Sequence, residues 1–119
     1  MIKEAIDKEK ILSNLEEFSG TETYYKWSSK IHFTDGIKYL ADQCECYWLI
    51  DIVGSYAFTF AGQDFLTFNL KVEDESGVVT VTDGNDNILA TQEIEYTDFP
   101  LDEINIWFSN NVIYLPSEH

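Results

Sequence analysis

Arginine is absent from this chain, so seven lysines are its only permanent cations, against 22 carboxylates and a net charge of −15. Nucleic acids and anionic lipids are held by cationic side chains that neutralise phosphate. The imbalance therefore disfavours direct nucleic-acid or membrane binding and points instead to a basic protein surface as partner. Its distribution is uneven. Residues 1–71 carry seven lysines and eleven acids, a net of −4, whereas residues 72–119 carry eleven acids and no lysine, a net of −11. The same acidity also keeps a protein soluble.

Long apolar runs are lacking as well. The strongest, residues 46–53, is interrupted by Asp51 and falls far short of the roughly 20 residues that span a bilayer. Charge begins at Lys3 and Glu4, without the apolar stretch of a secretory signal, so a cytoplasmic protein is expected. Cysteine is limited to Cys44 and Cys46, one residue apart, a spacing that strains a disulfide. They read as reduced, structural thiols, because a metal site would need further soft ligands and only His32 and His119 are on offer. No nucleophile elbow or phosphate-cradling glycine loop occurs, and His32, the one internal histidine, reads as a strand-edge residue. Asp83, Asn85 and Asn87 have the spacing that opens a calcium loop, but Ile88 stands where its glycine belongs and Ile94 where its bidentate glutamate belongs. That segment is a hairpin turn, and no cofactor is expected.

What is present suits one domain over residues 1–119, with 45% apolar residues and eight Phe, seven Tyr and three Trp to fill a core. Ile6, Ile11, Leu15 and Phe18 recur at helical spacing, which predicts a helix over about residues 4–18, closed by Gly20, with residues 1–14 as a helical extension. Residues 24–33 alternate weakly, as a short strand or an ordered loop. Thr34 and Asp35 offer caps to a helix beginning near Ile37. Residues 45–55 are apolar on nearly all sides, and their length favours a second helix ending at Gly54. From Leu66 onward the period changes to two, predicting strands at 66–73, 78–82, 88–96, 104–108 and 112–115. The class is α+β, with the N-terminal helices on one face of a four- to five-stranded antiparallel meander over residues 65–115.

In that meander Leu66, Phe68, Leu70, Val72, Ile94, Tyr96, Ile104, Ile106 and Phe108 face the core. Glu73, Glu93, Glu95, Glu103 and Trp107 then face water. With Asp74, Glu75, Asp83 and Asp86 these make the candidate partner-binding set, in which an exposed tryptophan anchors a ladder of carboxylates. The competing reading is that the wet face of any antiparallel sheet is polar. A different candidate is a small-molecule or catalytic pocket between helices and sheet, near Tyr24, Trp27, Asp35, Tyr39, Trp48 and Asp51, where Asp51 is the acid in the most apolar context.

The segments FSGTETYY at 18–25, FTDGIKYLA at 33–41, YWLID at 47–51, EIEYTDFPL at 93–101 and LPSE at 115–118 resemble the uncharacterised domain-of-unknown-function family 6876. The resemblance covers residues 15–118, leaving residues 2–14 as this chain's own addition, and Cys44 and Cys46 depart from the family's small-residue pattern. It implies a small protein of bacterial cytoplasm, common on mobile elements, with no activity to transfer. By analogy with acidic proteins of phages and plasmids, it suggests a non-enzymatic inhibitor. Such a protein would mimic nucleic acid in the basic groove of a host nuclease of the CRISPR or restriction type. The pocket is the alternative, and a homodimer through exposed aromatics is a third.

Overall fold

The computed structural model describes residues 8–119. It is an α+β structure of three α-helices and one seven-stranded sheet. The first helix, α1 (Lys8–Glu17), buries Ile11 and Leu15. The expected start at residue 4 lies outside the described residues. Its end is a tight turn in which Phe18 N–H bonds the Leu15 carbonyl, and Gly20 is not left-handed.

Helix α2 (Asp35–Cys44) begins where its cap predicts: the Thr34 hydroxyl accepts from Ile37 N–H, and Glu45 ends the helix in the left-handed region. Cys44 and Cys46 flank that residue, both buried and both free thiols. The Cys46 thiol points at the Leu40 carbonyl at 3.6 Å, and its bond with Cys44 together with burial drives its pKa strongly upward.

Helix α3 (Tyr47–Thr59) does not stop at Gly54 but runs through it. The reason is tertiary. The Trp27 indole lies against Gly54 so closely that a Cβ there would sit 2.5 Å from its ring carbons. Trp27 Nε1–H also donates to Asp51, one turn earlier, at 2.9 Å. The glycine is therefore a seat for an aromatic ring rather than a helix breaker.

Residues 24–33 form two short strands, β1 (Tyr25–Lys26) and β2 (His32–Phe33). The long strands are β3 (Phe65–Glu73), β4 (Ser76–Thr82), β5 (Ile88–Ile94) and β6 (Glu103–Ser109), followed by β7 (Val112–Tyr114). Their order is β1-β2-β7-β6-β3-β4-β5, so only β3, β4 and β5 follow one another as a meander. Strand β6 returns to the far side of β3, and β7 pairs with β2 in parallel. Seven strands thus replace the four or five expected, because β1 and β2 are too short to register as period-two patterns.

Alternation holds within the long strands. Leu66, Phe68, Leu70, Val79, Val81, Ile106 and Phe108 share one core cluster with Ile37, Leu40, Leu49, Ile50 and Val53 of the helices. Tyr96, expected in that core, is 69% exposed because β5 ends at Ile94 and the chain bends away. Among the described residues no helix is long and apolar enough to cross a membrane.

Alanine has the higher intrinsic helix propensity, by about 0.8–1 kcal/mol over glycine, yet Gly54→Ala should destabilise the protein. The new methyl must displace the Trp27 ring, an overpacking cost of about 1–3 kcal/mol. Urea unfolding monitored by circular dichroism checks the sign.

Candidate functional site: the acidic end of the sheet

The β3–β4 connection is a two-residue turn closed by the pair Glu73 and Ser76. Asp74 (φ 51°) and Glu75 (φ 64°) both adopt positive φ, the geometry that matches strand twist in such hairpins. Residues 95–102 pass beside this turn on their way from β5 to β6. Thr97 N–H donates to the Glu75 carbonyl at 2.8 Å, and Val72 N–H to the Asp102 carbonyl at 2.8 Å. The Thr97 hydroxyl accepts from Phe99 N–H, and Phe99 and Leu101 are buried, with Phe99 edge-on to Trp48.

Among the described residues, eight exposed carboxylates are collected around this connection: Glu73, Asp74, Glu75, Glu93, Glu95, Asp98, Asp102 and Glu103. The strand register explains the gathering, since Glu93 pairs with Val78, Val78 with Lys71, and Lys71 with Glu103. Five of the acids line a shallow depression of about 570 Å³ together with Lys8. On the outward face Asn69 Nδ2 donates to Glu103 at 2.6 Å and to Asn105 at 2.8 Å, which orients the Glu103 carboxylate.

Asp83 and Asp86 do not join this group. They sit in the β4–β5 turn at the other end of β4, about 20 Å away along a seven-residue strand. Asp83 is occupied in holding its own turn, accepting from Asn87 Nδ2 and from the backbone N–H groups of Asn85 and Asn87. Those bonds, the Asn87 side chain first, hold its carboxyl below the usual carboxylate range. Trp107 faces outward but is half-buried, its ring packed on Phe65 and His119 at 5.3 Å each and on Tyr114 at 6.3 Å. It is part of an aromatic cluster rather than an exposed anchor. Asp98 and Asp102 are not in the expected set because they lie in the longer connection between strands rather than in a strand or a hairpin turn; their place flanking Phe99-Pro100-Leu101 was the available signal.

The six residues of the expected pocket do not converge. Tyr24 is exposed. Asp35 accepts from the N–H groups of Glu22 and Thr23 and from the Tyr25 hydroxyl, and these bonds, Glu22 foremost, lower its pKa. Tyr39 accepts from Asn14, Trp48 packs on Phe99, and Asp51 is exposed and bound to Trp27. A cleft of about 850 Å³ lies elsewhere, between the 27–31 loop, the C-terminal end of α3 and the β6–β7 turn, and Trp27 alone of the six lines it. Among the described residues no group of three or more potential ligands is placed to hold a metal.

A family profile described as a family of unknown function, DUF6876, matches residues 9–119. The chain belongs to the DUF6876 family. The match takes in nearly all of the described α1, so this helix is part of the DUF6876 domain rather than an addition outside it. No curated protein and no solved structure matches the chain.

Phe99→Ala should cost about 3–5 kcal/mol, since it empties the anchor of the 95–102 connection. Thermal unfolding measures it, and faster amide exchange at Thr97 would place the loss at the acidic end. Asp35 has a depressed folded-state pKa, so its stabilisation is present above the unfolded value and is lost as pH falls through the folded one. Asp35→Asn should therefore lower Tm at neutral pH, with the difference from wild type closing under acid conditions below the carboxylate range.

Proposed function

We propose that this DUF6876 protein is a non-enzymatic binding protein whose acidic sheet end docks in the basic groove of a nucleic-acid-binding protein and occupies it in place of nucleic acid. A nuclease of the CRISPR or restriction type is the partner class that fits the resemblance to mobile-element proteins. The observation that carries this reading is the gathering of eight exposed carboxylates around the 95–102 connection. Carboxylates held on paired strands and a tethered connection keep their spacing, which a flexible acidic tail does not, and fixed spacing is what competition for a phosphate-binding groove requires. The field of this face acts at short range, because physiological salt screens charge beyond about 8 Å. Asp83, Asp86 and Trp107 are not carried into this site.

A second reading rests on the 850 Å³ cleft, whose floor is Ile31, Ala57 and Phe108 and whose rim includes Ser28, Gln63 and Asn111. That volume, with an apolar floor and a polar rim that also carries Lys30 and Asp64, suits a small polar ligand. Binding there would perturb the Trp27 indole resonance and leave the acidic end unchanged.

The first reading is tested by capture on the immobilised protein from bacterial lysate, with release by duplex DNA. The expected result is that captured proteins bind nucleic acid, elute with DNA, and associate more slowly as salt rises. Glu93→Lys with Glu95→Lys should lower affinity on the order of tenfold or more while leaving Tm close to wild type, since both side chains are exposed. Equal capture by the reversed variant would sink the proposal.

A further inference from the structure

Strand β5 is the terminal strand of the sheet, and among the described residues it pairs with β4 alone. The β3–β4 turn determines which of its backbone groups reach the open side. In a two-residue hairpin the closing pair, here Glu73 and Ser76, is hydrogen-bonded, and bonded and non-bonded pairs then alternate along the ladder. Ser76, Val78 and Thr80 thus bond to β3, leaving Gly77, Val79 and Val81 to bond to Ile94, Gln92 and Ala90 of β5. The N–H and C=O groups of Thr91 and Glu93 consequently point away from β4, along the free edge.

The surroundings of that edge are specific. Beneath it, between β5 and α3, lies a groove of about 270 Å³ lined by Asp51, Ile52, Ser55, Tyr56, Thr59 and Gln92. On the opposite, outward face stand Thr91 and Glu93, with Ile88 65% exposed at the strand's start. Edge strands are commonly protected by lysine, proline or a covering element. β5 carries neither lysine nor proline, and its one charge is the carboxylate of Glu93.

We infer that β5 is a docking edge for an extended segment of the basic partner, which adds antiparallel to the sheet as an eighth strand with alternating lysine and apolar residues. This rests on the acidic docking reading above and names how the partner is gripped. Residues of the added strand opposite Thr91 and Glu93 share their outward face, where lysine meets the Glu93 carboxylate. The intervening residues turn inward over Ile52 and Tyr56, where apolar side chains fit. Main-chain hydrogen bonds supply affinity and the alternating side chains supply selectivity, as in other strand additions. Charge excludes a second copy as the preferred occupant, because it would bring its own Glu93 and a further net charge of −15 to the same edge.

The test uses two synthetic heptapeptides of equal charge, one alternating lysine with valine and one alternating lysine with proline, followed by amide NMR of the intact protein. The lysine–valine peptide should bind on the order of tenfold more tightly and shift the Thr91 and Glu93 amides, because alternating proline fixes φ and holds the chain in a polyproline II helix, whose three-residue period does not keep the lysines on one edge. N-methylation at its lysine residues should abolish that advantage, while N-methylation at its valines should spare it, since only the former N–H groups face the open edge. Thr91→Pro, which removes an edge donor but no bond to β4, should give the same loss. If both peptides bind equally, whatever is methylated, the edge assignment falls while acidic docking stands. If neither binds at low salt, both fall. Shifts of the same amides that grow with protein concentration in the absence of peptide would assign the edge to a second copy and overturn the proposal.

Discussion

The pairing of β6 with β3, rather than with β5, is the constraint on which the rest of this molecule depends. It obliges residues 95–102 to travel from the outer strand back past the β3–β4 turn. Burial of Phe99 and Leu101 holds that connection in place, and two backbone hydrogen bonds tie it to Glu75 and Val72. Burying a side chain such as Phe99 is worth about 1.5–3 kcal/mol, more than any of the exposed charge contacts nearby can supply. Apolar anchoring thus holds together carboxylates whose mutual repulsion would otherwise spread them.

Two consequences follow from that single connection. It delivers Glu95, Asp98 and Asp102 to the turn that already carries Glu73, Asp74 and Glu75. It also leaves β5 without a second neighbour among the described residues, so that the anionic end and the open edge adjoin at Glu93. Meanwhile Trp27, seated on Gly54 and bonded to Asp51, ties the 27–31 loop to α3 and forms one wall of the large cleft. The two candidate surfaces therefore draw on different parts of the fold.

Several local features were legible from neighbouring residues alone. Thr34 caps α2 because a side-chain oxygen three residues before an amide can reach it whatever surrounds them. The alternation of Leu66, Phe68 and Leu70 marked β3, and the Asp83–Asn87 segment announced a turn by its own side-chain chemistry. Gly54 was misread because helix propensity describes an isolated helix, and the indole that requires a glycine there comes from another segment. Trp107 was misread because alternation assigns a face but not the neighbours on it, and Phe65, Tyr114 and His119 cover its ring. Tyr96 lost its inward position once the strand ended two residues earlier than its pattern implied.

Composition and periodicity, which are properties of the chain read locally, determined the sign and uneven distribution of charge, the α+β class, and the inward or outward face of most residues in the long strands. The choice of strand neighbours belonged to tertiary structure, because hydrogen bonding between strands is available to any pair and is settled by which arrangement buries the most apolar surface. That choice brought Glu103 and the 95–102 connection beside Glu73, whereas Asp83 and Asp86 lie at the far end because the length of β4 separates its two turns. It also left β5 at the margin of the sheet, a position that alternation along one strand does not encode.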